Sequence, residues 1–125
     1  METCKLTDRR EESRWIRARL DDNRIHLEAE PGKWSFTFET EAQVKQFILH
    51  LESSKGQTYA RPGMLTFFRG KRMKVEGRYR GVSVVWDWDA AYQDCGNRIY
   101  ANSDDVDEFV HQLMHLAWMA PRSSE

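Results

Sequence analysis

Two stretches of this chain carry the same apolar spacing. Val44, Phe47, Ile48 and Leu51 stand at i, i+3, i+4 and i+7, and Val106, Phe109, Val110 and Leu113 reproduce the set 62 residues later. That period places four apolar side chains on one stripe of a helix, and such a stripe must be buried against another element. Both stripes have a start signal. Thr40 precedes Gln43 by three residues, the capping-box spacing in which each side chain satisfies an orphan N–H at the helix start. Asn102 is the candidate cap of the second helix, and the acidic residues that follow it suit the positive end of the helix dipole.

The segments before each helix alternate instead with period two. WIRARL (15–20), RIHLEAE (24–30) and KWSFTFE (33–39) are separated by the turn formers Asp21-Asp22-Asn23 and Pro31-Gly32. Ile16, Ala18, Leu20, Ile25, Leu27, Ala29, Trp34, Phe36 and Phe38 then share one face of an antiparallel meander, since strand side chains repeat every two residues. In the second half MLTFF, RMKVEGRY, VSVVWDW and NRIYA are candidate strands, with breaks at Gly70, Gly81 and Cys95-Gly96. The expected fold is α+β: an antiparallel sheet of about seven strands with two amphipathic helices packed on one side, in duplicated meander-plus-helix units. Duplication of one ancestral unit and independent packing of two helices on similar sheets both produce such a pattern. The expected boundaries are a flexible N-terminal segment at 1–13, a single α+β domain at 14–120 and a tail at 121–125, with SSKGQTYARPG (53–63) linking the halves.

Composition narrows the function classes. With 125 residues, 40% hydrophobic and 31% charged, the chain can bury about two-thirds of its unfolded surface and falls outside the disordered class. A net charge of −1 removes the global electrostatic case for a nucleic-acid binder, so any such role rests on a local patch. Two distant cysteines, Cys4 and Cys95, make no disulfide framework. No apolar run approaches the roughly 20 residues that span a bilayer, and no signal-peptide stretch opens the chain. A cytoplasmic protein without membrane contact is expected.

The local patch is RGKRMKVEGRYR (69–80), six basic residues against one acid, Glu76. If 72–80 is a strand with Met73, Val75 and Tyr79 inward, then Arg72, Lys74, Arg78 and Arg80 form an outward row with about 6.5 to 7 Å between alternate residues. Arg17 and Arg19 share the outward phase of the first strand beside Trp15. A basic sheet face with an aromatic is the combination that tracks a phosphate backbone while a base stacks. The competing reading is a solvated sheet face, whose outward positions are polar in any case.

Other motifs are weaker. HQLMH (111–115) places His111 and His115 on one helical face with Asp107 a turn earlier, similar to H-E-x-x-H, but Gln112 stands where that motif has its general base. Asp87 and Asp89 of DWD lie on one side of a strand, where cross-strand charge pairing is the simpler role. No phosphate-binding glycine loop, nucleophile elbow or C-x-x-C is present, so an enzymatic role has no support; no cofactor and no metal are expected. The helix end LAWM adds Leu116, Trp118 and Met119 to the apolar surface, and Trp118 and Met119 are candidate partner contacts.

The stretch GRYRGVSVVWDWDAAYQDCGNRIYANSDDVDEFVHQL holds a basic strand, an aromatic strand, a loop, a short strand and an amphipathic helix. Its order is similar to that of the PUR and Whirly group of single-stranded nucleic-acid binders, in which a curved sheet precedes each helix. The first half has one strand too few for that resemblance, and the acidic run at 104–108 departs from the usual basic balance. The expected function is a non-enzymatic binding or regulatory module that engages a polyanion, foremost single-stranded nucleic acid, through the basic strand face. The alternative is a protein–protein interaction module, such as an inhibitor, immunity protein or adaptor, that uses the contrast between the basic 69–80 and the acidic third after it to grip an acidic protein surface or a second copy of itself.

Overall fold

A computed structural model of the chain describes residues 3–56, 63–66, 72–86 and 97–119, with backbone alone for 63–66, 72 and 119. Four strands lead into a helix, twice. The first unit is β1 (Thr3–Thr7), β2 (Trp15–Asp21), β3 (Arg24–Glu30), β4 (Trp34–Thr37) and α1 (Glu41–Ser54). The second is β5 (Gly63–Thr66), β6 (Arg72–Arg78), β7 (Gly81–Trp86), β8 (Arg98–Asn102) and α2 (Ser103–Met119). The α+β class and the two helices are as expected. The single sheet of about seven strands is not: each unit makes its own antiparallel sheet, ordered β1-β2-β3-β4 and β5-β6-β7-β8.

The N-terminal segment differs as well. Within 1–13, expected to be flexible, Thr3–Thr7 pair along β2 with Cys4 opposite Ala18 and Leu6 opposite Ile16. Cys4 and Leu6 are buried, and that burial, with the backbone pairing, orders the strand. β1 makes the first unit four-stranded, one strand more than the sequence pattern indicated.

Both caps form. The Thr40 hydroxyl accepts from the Gln43 N–H at 3.3 Å and the Gln43 side chain accepts from the Thr40 N–H at 3.4 Å. The Asn102 carboxamide oxygen accepts from the Asp105 N–H at 2.8 Å. Of the two stripes, Val44, Phe47, Leu51, Val106, Phe109, Val110 and Leu113 are buried, and Ile48 is partly so.

The helices do not simply cover their own sheets. α1 lies against β5, β6 and β7 of the second sheet, whereas α2 lies against β1 and β2 of the first and β7 and β8 of the second. The two also touch each other, with Phe47 and Phe109, the equivalent positions of the two stripes, meeting edge to face at 6.3 Å. One hydrophobic cluster therefore runs from Leu6, Ile16 and Leu27 through Phe47 and Phe109 to Val75, Val84 and Ile99. Polar ties reinforce the junction. The buried Asp8 carboxylate accepts backbone N–H groups from Arg10 and Glu11, both at 3.0 Å, and from Tyr100 of β8 at 2.6 Å. The Trp86 indole donates to the Pro31 carbonyl at 3.0 Å.

Candidate polyanion surface on the sheets

Pairing register decides where each basic side chain stands. Along β6 Met73, Val75 and Gly77 are buried, which leaves Lys74, Glu76 and Arg78 on the outer face. Arg78 pairs with Gly81, so Tyr79 and Arg80 form a two-residue hairpin turn. This corrects the expectation for both. Tyr79 is 72% exposed instead of facing inward, and Arg80 has a left-handed φ of 59° in the turn instead of continuing the outward row. The physical reason is that Gly77 fills the inward slot and the chain reverses two residues later. The Arg72 side chain lies outside the described residues.

On that face Glu76 stands opposite Ser83, which stands opposite Tyr100, and Ser83 and Val85 in the middle of it are buried, so its exposed part is the rim on β6 and β8. Arg98 reaches into this row. Its Nη1 donates to Glu76 Oε1 and to the buried Ser83 Oγ, each at 2.7 Å, and its guanidinium lies 5.7 Å from the Tyr100 ring centre. Arg78 Nη2 is 3.5 Å and Lys74 Nζ 3.9 Å from the same carboxylate. Among the described residues three cations thus surround one acid, a net charge of +2 within that group. Glu76 and Arg98 are only 15% and 14% exposed, so their pair sits in a lower dielectric than the rim formed by Lys74 and Arg78. Sequence reasoning missed Arg98 and Tyr100. Their shared outward phase in RIYAN was the available signal, but it gained meaning only from the pairing of β8 with β7.

The other predicted group is on the first sheet. Trp15, Arg17 and Arg19 do share the outer face of β2, and the Trp15 ring lies 4.8 Å from the Arg17 guanidinium and 5.0 Å from Lys5 Nζ. Their charge, however, is met by neighbours. Glu28 lies 3.1 Å from Arg17 and 3.3 Å from Arg19, and Asp21 lies 2.7 Å from Arg19. The sequence-predicted basic face is therefore divided between two sheets; among the described residues the cations outnumber the acid around Glu76 on the second, and those on the first are met by Glu28 and Asp21.

No family model matches this chain, and no curated protein or solved structure does either. What the site can do must be argued from its own residues.

The remaining motifs fall apart in space or lie outside the described residues. His111 and His115 are exposed on α2, flanked by Thr3, Gln112 and Leu116. Asp107, one turn before His111, is held by Lys55, which also pairs with Glu52 at 3.2 Å and ties the end of α1 to α2. The hydrogen bond that Lys55 donates to the Asp107 carboxylate raises the Lys55 pKa above its ordinary value. Among the described residues no three His, Cys, Asp or Glu side chains converge as metal ligands. Asp87 and Asp89 lie outside the described residues. Among those that are described, no helix is long and apolar enough to cross a membrane. Trp118 is 78% exposed on α2, while the Met119 side chain lies outside the described residues.

Proposed function

We propose that the chain is a non-enzymatic binding module whose outer second-sheet face, formed by Lys74, Arg78, Arg98 and Tyr100, engages a polyanion of the single-stranded nucleic-acid type. The observation that carries this reading is the gathering of Lys74, Arg78 and Arg98 around Glu76, three cations to one acid among the described residues, beside an aromatic ring. Glu76 has a use in it: by fixing Arg78 and Arg98 it removes part of the side-chain ordering that a ligand would otherwise impose. Lys74 and Arg78, four residues apart on one strand, offer phosphate contacts, and Tyr100 offers a stacking face that is indifferent to base identity. Trp15, Arg17 and Arg19 are secondary in this reading because Glu28 and Asp21 already compensate them. Arg80 extends the patch only as a neighbouring cation in the turn.

The test is fluorescence anisotropy with a labelled oligonucleotide. About three phosphate contacts on a single strand predict a loss of affinity of roughly 10- to 20-fold between about 50 and 200 mM salt. A Lys74→Ala/Arg78→Ala double variant should flatten that dependence, and Tyr100→Leu should weaken binding without changing the salt slope. An oligonucleotide that fails to bind even at the lower salt would sink the proposal.

A second reading, a protein-interaction module, is favoured by a different observation: Leu49, Met114 and Trp118 are exposed together on the two helices. Exposed Asp104, Asp105 and Glu108 on α2 supply the acidic side of the dipolar surface expected from the sequence.

A further inference from the structure

Four large hydrophobic residues are exposed among those described, and one of them, Tyr79, is accounted for by its hairpin turn. The other three converge. Leu49 (64% exposed), Met114 (55%) and Trp118 (78%) line one groove of about 390 Å³ between α1 and α2, floored by Val44, Ile48 and Ala117. With large side chains presenting roughly 150 to 250 Å² each, the three leave on the order of 400 Å² of apolar surface in water. Isolated exposed apolar residues need no explanation, and a contiguous patch of that size matches the largest patch of a typical monomer, which is often a functional surface.

The rim indicates what covers it. A two-fold axis brings a surface onto itself, so a rim of one sign would face its own charge and repel. This rim carries both signs, Glu41, Lys45 and Glu52, and the Lys45–Glu41 pair at 3.5 Å within α1 is solvent-exposed on both sides. Such a pair loses little when Lys45 exchanges its partner for a carboxylate of another copy. Size agrees. Two such patches face to face bury on the order of 800 Å² of apolar surface, and the rim brings the total toward the roughly 1,200 Å² at the lower end of specific interfaces. We infer that the α1–α2 groove pairs with the same groove of a second copy, in an isologous dimer of micromolar affinity. The inference rests on the helix-face reading and is independent of the polyanion surface.

Sedimentation velocity from low micromolar to submillimolar protein tests it, with circular dichroism checking that each variant is folded. The wild type should shift from monomer to dimer across that range. Leu49→Glu would bury an unpaired charge at the centre of the face and should weaken the dimer at least about 100-fold. Lys45→Glu, which makes the rim acidic throughout, should weaken it roughly tenfold and recover with salt. A wild type that stays monomeric throughout, or a folded Leu49→Glu variant that dimerises like the wild type, overturns the inference. A synthetic amphipathic helix of leucine and lysine separates the two ideas. If it binds a monomeric wild type but not Leu49→Glu, the second copy is refuted and the helix-face reading survives. If the wild type is monomeric and the peptide binds neither protein, both are lost.

Discussion

Cys4 sits in β1 opposite Ala18, in a strand with only two buried side chains. Burial pushes its thiol up to about 12 from an ordinary 9.0, partly offset by a backbone hydrogen bond with Ala18. The consequence for stability has a definite sign. Below pH 9 the thiol is protonated in both folded and unfolded chains and contributes no pH dependence; above it the unfolded chain releases the proton while the folded chain retains it. Stability therefore falls as pH rises from 9 toward 12, and Cys4→Ala should show a shallower decline of its urea midpoint over that window. Parallel declines would mean that Cys4 is not buried as described. None of this was legible in TCKLT, where two apolar residues separated by one lysine are too short a pattern to tell a strand from a frayed end. The same holds for Asp8. Its most distant partner is the Tyr100 N–H, 92 residues away, and local patterning carries no record of it.

At the level of elements, both helices were legible because their evidence is local: a cap, a first turn and a stripe all lie within about 15 residues. Strand faces were legible for the same reason, and the inward set from Ile16 to Phe38 is buried apart from a partly buried Leu20. The basic row was only half legible. Alternation put Lys74 and Arg78 outward, but where β6 ends depends on the hairpin, which removed Tyr79 and Arg80 from the strand. β7 leaves that hairpin at Gly81, which lies close against β8. A Cβ there would lie 2.1 Å from the Ala101 carbonyl oxygen on β8, far inside any real contact. Gly81→Ala must push β7 away from β8, so it should cost about 3 kcal/mol or more in chemical denaturation. A loss below about 1 kcal/mol would show that the two strands can part without disturbing the face that holds Arg98 and Tyr100.

For the molecule as a whole, the sequence could not say whether the strands form one sheet or two. Period-two alternation is identical in both arrangements, and the choice depends on contacts between halves. Phe47 and Phe109 lie at that junction, buried and edge to face. Phe47→Ala should cost about 3 to 5 kcal/mol. Because one cluster serves both sheets, heat should melt them in a single transition, with near-ultraviolet and far-ultraviolet signals falling together in the variant as in the wild type. Two separated transitions would show that the units hold themselves together independently. The crossed packing of the helices has one more consequence. The first four strands and α1 alone would have that helix turned away from its own sheet and its apolar face open, whereas α2 keeps contacts with β7 and β8 as well as reaching the first sheet, and the simplest remedy for the first unit would be a twin. Joining two such chains end to end turns an encounter that depends on concentration into one that the covalent backbone guarantees, and leaves each half free to diverge in charge.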